Sequence, residues 1–296
     1  MAKKLISTHR YKTTVMFYDD NLEYLDFLKN HLVSDKYNFI FVNNLKDFNT
    51  YIRASEKIKA TLPHPFIRLD NELSDNPKHD AFDFDITKVG NLRDVDNKSS
   101  EISTIFVDNN LKNSGYNGLY ICSNIGESSF NKVLLTGECD RIDAINALNS
   151  KTIDFYIEKY NLTHKALDNL NIIEKIMHEL QKLTDMFFIQ NNIYVNDLIS
   201  NNNFKQIFDE LIESHNIIEY YLFDKDTFLL IDSGNNEIYL RCWDDSKFDT
   251  YLELRADESD NNKIAELNEV KQRKFIPTSA GLKDAINFKN LYYCIY

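Results

Sequence analysis

The 296-residue sequence is short of several residue types, and each shortage excludes something. Its four cysteines, Cys122, Cys139, Cys242 and Cys294, make no CxxC pair and have no histidine at zinc-ligand spacing. That argues against a disulfide scaffold or a zinc site and fits the reduced thiols of a cytoplasmic protein. With only seven glycines, and with Gly234 and Gly281 isolated, no glycine-rich loop is available to cradle a nucleotide phosphate. No apolar run approaches the roughly 20 residues of a membrane span. The basic opening stretch (Lys3, Lys4, Arg10, Lys12) has no apolar segment behind it, so it reads as a solvated tail rather than a secretory signal or a nucleic-acid arm. Positive charge is scarce too: 34 Lys and Arg stand against 46 Asp and Glu, a net −12. Nucleic acid is therefore not indicated as a partner, because sequence-independent affinity for phosphates needs clustered cations.

The length suits about two domains, and the first half alternates strand and helix signals. Short apolar runs at 13–18 (TTVMFY), 39–42 (FIFV), 102–107 (ISTIFV), 132–135 (KVLL) and 153–157 (IDFYI) read as strands. Residues 21–32 carry Leu22, Leu25, Leu28 and Leu32 at helical spacing, and 45–58 and 140–149 read as further helices. Five such strands separated by helices predict an α/β fold, a doubly wound, five-stranded parallel sheet. Residues 61–100 break the rhythm with Pro63, Pro65, Pro77 and many Asp and Asn, and are expected to be a surface insertion with some helix near 86–94. The expected organisation is a first domain over 13–162 with that insertion, a connecting helix over 163–190, and a smaller α+β domain over 191–296. The connecting helix carries an apolar stripe from Leu167 to Phe187, which fits the last helix of the first domain or a dimerisation helix.

Acids fall at the ends of these strands. Asp19 and Asp20 follow the first and Asp108 the third, while Thr136 ends the fourth and Lys159 follows the fifth. In a parallel sheet, adjacent carboxyl ends face one crevice, where such folds bind ligands. Three carboxylates there make a hard, oxygen-rich site suited to Mg2+, with one of them free to act as nucleophile. A hydroxyl and an ammonium beside them suit the oxygens of a transferred phosphoryl group.

The ordered set FYDDN, FVDNN, LLTGE and Lys159 resembles the receiver domain of two-component response regulators. The resemblance spans roughly residues 13–160. It implies a flavodoxin-like receiver fold in which Asp19, Asp20, Asp108 and the backbone carbonyl of Asn110 hold Mg2+. Asp108 would be the phosphoacceptor, Thr136 the switch hydroxyl, Tyr156 the switch aromatic and Lys159 the strand-end lysine. The implied partners are a sensor histidine kinase or a phosphotransfer protein, with a possible homodimer on phosphorylation and no membrane. Such a protein is a phosphoacceptor able to dephosphorylate itself, not a turnover enzyme. Two departures stand out: Lys112 lies where the family usually has a proline, and Tyr160 where a proline usually follows the lysine. A narrower resemblance, carried by KVLLTGECD, AINALNSKTIDFYIEK and LLIDSGNNEIYLRCWDD, is to an unusual receiver subfamily, the Legionella quorum-sensing response regulators. It implies a place below sensor kinases for an α-hydroxyketone signal, controlling growth phase and virulence.

Two other classes compete. A phosphohydrolase of the haloacid dehalogenase type also uses an aspartyl phosphate, but it needs an acid two residues after the nucleophile, and here Asn110 stands there. A phosphate sink or protein-docking module fits the C-terminal region: residues 200–296 carry 11 basic and 18 acidic side chains and no helix-turn-helix with a basic recognition helix. In that region Trp243-Asp244-Asp245 reads as a strand followed by a helix cap, His215 as structural or solvated, and Arg241, Arg255, Lys271 and Arg273 as scattered cations.

Overall fold

The computed structural model describes residues 6–63, 66–68, 82–112, 114–125, 130–136, 141–162, 171–177, 199, 201–289 and 291–296. The chain divides into two compact units. One takes 11–62 and 95–184; the other takes 1–10, 63–94 and 185–296.

The described chain opens with a two-residue strand, β1 (His9–Arg10), which belongs to the second unit. The parallel sheet begins at β2 (Thr13–Tyr18) and continues through α1 (Leu22–His31), β3 (Tyr37–Val42) and α2 (Leu45–Thr61). Short antiparallel strands β4 (Phe66–Arg68) and β5 (Phe82–Phe84) and helix α3 (Ile86–Leu92) follow. The sheet resumes with β6 (Ile102–Asp108), α4 (Gly118–Asn124), β7 (Asn131–Thr136), α5 (Arg141–Asn149) and β8 (Phe155–Glu158).

Its strand order is β3-β2-β6-β7-β8, all parallel, the flavodoxin-like order expected from the alternation of strand and helix signals. Both faces are covered, so the central strands are apolar throughout rather than alternating. On β2, Val15 and Phe17 enter one core with α1 and helical residues 171–177 (Ile173, Ile176, Met177). Met16 and Tyr18 enter the other, with Phe48 and Ile52 of α2, Cys122 of α4 and Ala144 of α5. Phe17 lies fully buried between Phe106 at 4.6 Å and Phe41 at 5.6 Å, ring to ring. Helix α1 starts where Asn21 caps it, its side chain accepting from the Tyr24 amide at 3.2 Å. Of the connecting helix expected over 163–190, residues 171–177 are helical and pack on the parallel sheet beside α1; 163–170 and 178–190 lie outside the described residues.

The second unit holds α6 (Asn202–Ser214), β9 (Ile217–Asp224), β10 (Thr227–Asp232) and β11 (Glu237–Trp243), then α7 (Asp245–Glu253) and α8 (Asn261–Lys271). A hairpin of β12 (Phe275–Thr278) and β13 (Gly281–Asp284), then β14 (Ile286–Phe288) and β15 (Leu291–Ile295), complete it. The sheet is antiparallel, in the order β1-β9-β10-β11-β15-β14. Phe208 of α6 packs on Phe228 and Tyr220 at 5.0 Å each. On the α7 and α8 side, Trp243, Phe248, Val270, Ile276 and Cys294 form a separate core.

Two expectations change here. Residues 6–10 are not a solvated tail: Ile6, Ser7 and Thr8 are buried, and β1 pairs with β9. The 61–100 segment is not simply an insertion on the first unit: residues 63–94 group with the second, and α3 packs on β9 with Val89 and Leu92 buried. Both features arise from contacts distant in sequence, which no local period reports.

Residues 191–296 expressed alone lack β1 and α3, and so leave β9 without an edge partner and a helix. Their isolated fragment is expected to be less stable than the full chain by about 2–5 kcal/mol, for losing buried apolar side chains of this kind, and so to unfold at a clearly lower denaturant midpoint. Urea titration followed by circular dichroism checks this; an equal midpoint would show that β1 and α3 add nothing.

Candidate functional site

β2, β6 and β7 are neighbours in the parallel sheet, so their carboxyl ends open on one edge. Asp19 directly follows β2, and its amide is held by Val42 O at 3.1 Å. Asp108 ends β6, and the next amide, of Asn109, donates to Leu135 O of β7 at 2.9 Å. These ladder bonds fix both carboxylates on rigid backbone rather than on loops. Asp19, Asp20 and Asp108 each offer an oxygen within 4.8 Å of the others. Asp19 and Asp108 are buried and Asp20 is half-buried.

Lys159, just beyond β8, closes the group. Its Nζ lies 2.6 Å from Asp19 Oδ2 and 2.8 Å from Asp108 Oδ2. Burial alone would lower the Lys159 pKa, but its hydrogen bonds to Asp108 and Asp19 hold it above the ordinary value. Burial raises the Asp19 pKa, the Lys159 contact opposes that, and the Asp108 charge adds to it. Asp19 Oδ1 accepts from the Asn21 amide at 2.9 Å, and Oδ2 faces the lysine ammonium at 2.6 Å. Three converging carboxylates, two of them buried, fit a divalent cation bound by hard oxygen ligands.

The other residues singled out in the sequence are placed as follows. Asn110 is exposed in the loop after β6. Thr136 ends β7, one residue past Leu135, the partner of Asp108, and pairs with Glu158 of β8, while its side chain lies outside the described residues. Tyr156 of β8 is half-buried against the core that holds Val107 and Leu134. Lys112 and Tyr160, the two departures from the family pattern, are both exposed.

The cations singled out in the C-terminal region lie in the second unit. Asp244 caps α7, accepting from the Lys247 amide at 2.9 Å, and Asp245 pairs with Arg273, which also reaches Asp249 at 2.9 Å. Arg241 and Trp243 both donate to Asp226, at 3.1 and 2.8 Å. Arg255 lies over the Tyr251 ring at 4.6 Å, Lys271 ends α8, and His215 is an exposed helix end bonded to Ser214 at 2.9 Å. Cys122, Cys242 and Cys294 are free and buried, and Cys139 lies outside the described residues.

Sequence reasoning missed two residues at the site, Gly118 and Tyr24, and a buried lysine farther along the sheet, Lys132, which pairs with Ile105 three residues before Asp108. Gly118 begins α4 so close to the end of β6 that a Cβ there would lie 2.3 Å from Asp108 O. The Asn-Gly pair at a helix start was its only local signal. Lys132 is buried on β7 and donates to Cys122 O and Ile125 O at 3.1 and 3.2 Å, closing the carboxyl end of α4. Tyr24, buried on α1, carries the Lys159 Nζ over its ring at 5.0 Å; its place in a helical apolar stripe reads as ordinary core.

With this geometry in view, comparison with solved structures shows the fold. The structure of the Legionella pneumophila response regulator LqsR matches with a TM-score of 0.67 and 23% identity, over 98% of this chain and 88% of that one. A response regulator receiver domain protein from Clostridium thermocellum matches at TM-score 0.33 and 15% identity, over 58% of this chain and 98% of its own. A receiver domain from Rhodospirillum rubrum matches at 0.32 and 12%, over 55% and 90%. No family model and no curated protein matches the chain. This chain therefore shares the fold of LqsR over nearly its whole length: a flavodoxin-like α/β unit and a second α+β unit.

Two outcomes follow from the site. Gly118→Ala forces its methyl into backbone rather than into a movable side chain, and is expected to lower stability by about 1–3 kcal/mol; chemical denaturation reads it, and an unchanged midpoint contradicts the contact. Asp19, with its raised pKa, favours the fold while protonated; that contribution is lost as pH rises through its folded value. A cation bound to ionised Asp19 reverses the loss. The rise in Tm produced by Mg2+ should therefore be small in mild acid and grow toward neutrality, and a pH-independent increment would contradict it.

Proposed function

We propose that this chain is the response regulator of a two-component phosphorelay, phosphorylated on Asp108 in a Mg2+-dependent step by a sensor histidine kinase or phosphotransfer protein. The observation that carries the reading is the convergence of Asp19, Asp20 and Asp108 within 4.8 Å with one lysine bridging two of them. Bound among the three carboxylates, the divalent cation supplies the positive charge that offsets repulsion between Asp108 and an incoming phosphoryl group.

The chain's own residues do the rest. An Asp108 carboxylate oxygen attacks the phosphorus and forms an acyl phosphate, and the bond to the donor's nitrogen or oxygen breaks. Lys159, within 2.8 Å of Asp108 Oδ2, neutralises charge on the transferred oxygens. Thr136, one strand over, supplies the hydroxyl that follows the phosphate, and Tyr156 is the aromatic whose packing reports it. The protein thus acts as a phosphoacceptor that is modified once per cycle and hydrolyses its own phosphate, not as an enzyme on small phosphate esters. Among the described residues no helix is long and apolar enough to cross a membrane, which is compatible with action in the cytoplasm.

The second unit's chemistry favours output through protein contact rather than DNA. Residues 200–296 are net acidic, and Arg241 and Arg273 are engaged with Asp226, Asp245 and Asp249. Phosphorylation switches its contacts or the dimerisation of the chain. The narrower motif resemblance extends the proposal to quorum sensing and virulence control.

Intact-mass analysis after incubation with Mg2+ and acetyl phosphate tests the core of this reading. One phosphoryl adduct is expected on the wild type and none on Asp108→Asn. No adduct on the wild type, with a histidine-phosphorylated donor as well, would leave a docking module without phosphoacceptor chemistry; multiple turnover of small esters would instead indicate a phosphohydrolase.

A further inference from the structure

We infer that Tyr24 is a positioning residue for Lys159: its ring is the platform that holds the ammonium over the acidic pocket. It thereby sets both how readily a divalent cation enters and where the lysine stands during transfer. The inference rests on the reading of Asp108 as phosphoacceptor and goes beyond it, to a residue outside the acid, hydroxyl and lysine set.

Three contacts define the lysine head: Asp19 Oδ2 at 2.6 Å, Asp108 Oδ2 at 2.8 Å and the Tyr24 ring centroid at 5.0 Å. The platform cannot swing away. The Tyr24 amide is tied to the Asn21 cap at 3.2 Å, and the side chain is 9% exposed in the same core as Leu25 and Leu28 of its own helix. A cation within about 6 Å of a ring face is attracted by the ring quadrupole, more strongly when both are shielded from water. The ring is what acts, because the hydroxyl is buried without a hydrogen-bond partner among the described residues.

The consequence is a competition. The oxygens that Lys159 rests on, one from Asp19 and one from Asp108, belong to the carboxylates a shared divalent cation needs. A ring that steadies the ammonium there opposes entry of the cation, yet it keeps the lysine where the phosphoryl oxygens arrive. Weakening the platform should therefore tighten Mg2+ binding while slowing transfer. A general loosening of the fold would weaken both, so the opposite signs mark a positioning role.

The test keeps the ring's shape and changes its charge distribution. Tyr24→Phe retains the platform; pentafluorophenylalanine at the same position presents an electron-poor face of nearly the same size. Mg2+ affinity is measured by calorimetry on the full chain, and transfer as the rate of labelling by acetyl phosphate at saturating Mg2+. Phe should match the wild type in both. The fluorinated residue should bind Mg2+ about fivefold more tightly and be labelled about fivefold more slowly, the scale of one partly buried cation–π contact. The fluorinated protein matching Phe in both quantities, or losing both together, overturns the inference. Failure of the underlying reading shows separately, as a wild type that neither binds Mg2+ nor accepts the label.

Discussion

Everything at the carboxyl edge of the parallel sheet depends on holding like charges together out of water. Two buried carboxylates, Asp19 and Asp108, and a third half-buried one, Asp20, share a crevice. Each buried ion costs several kcal/mol in desolvation unless it is paired. The ammonium of Lys159 provides that pairing on two sides, with directed backbone hydrogen bonds to Asp19 Oδ1 and to the flanking strands. The fold makes this arrangement possible: with strand order β3-β2-β6-β7-β8, the ends of β2 and β6 are adjacent, and β7 and β8 follow on one side. The same crowding explains the glycine at position 118, where the helix after the β6 loop approaches the Asp108 carbonyl too closely for a side chain.

Much of this unit was legible in the sequence. Its strands are buried on both faces, so each appears as a short apolar run, and each helix between them carries its own period. The acids and the lysine could then be assigned to one edge by topology alone. Trp243-Asp244-Asp245 was legible as a cap, because an aspartate between a strand and a helix acts on its immediate neighbours, and Asp244 accepts from the Lys247 amide. Tyr24 was not legible. A tyrosine on the apolar stripe of α1 carries no sign that its ring lies under an ammonium brought from 135 positions along the chain.

The second unit was harder to read for a physical reason. Its sheet is completed by pieces whose partners are remote. β1 has two residues and therefore no period, and it pairs with β9 through His9 opposite Tyr221. β13 and β14 are short and largely solvent-facing, so polar residues interrupt their pattern. Residues 63–94 look like an insertion in the receiver because they interrupt it in sequence, whereas their helix α3 buries Val89 and Leu92 with the second unit. The chain passes between units after residues 10, 62, 94 and 184. The second unit is thus built from segments before, within and after the first, and is not an appended module joined by one linker.

If the crevice is a complete acyl-phosphate site, then metal, lysine and acceptor act there as one. Beryllofluoride, a mimic of the phosphoryl group on a carboxylate, tests this most directly when followed by fluorine NMR. Bound resonances that need both Mg2+ and Asp108, and that disappear in Asp108→Asn, are the predicted result. A spectrum showing free fluoride species alone, with Mg2+ saturating and the protein folded, would contradict it.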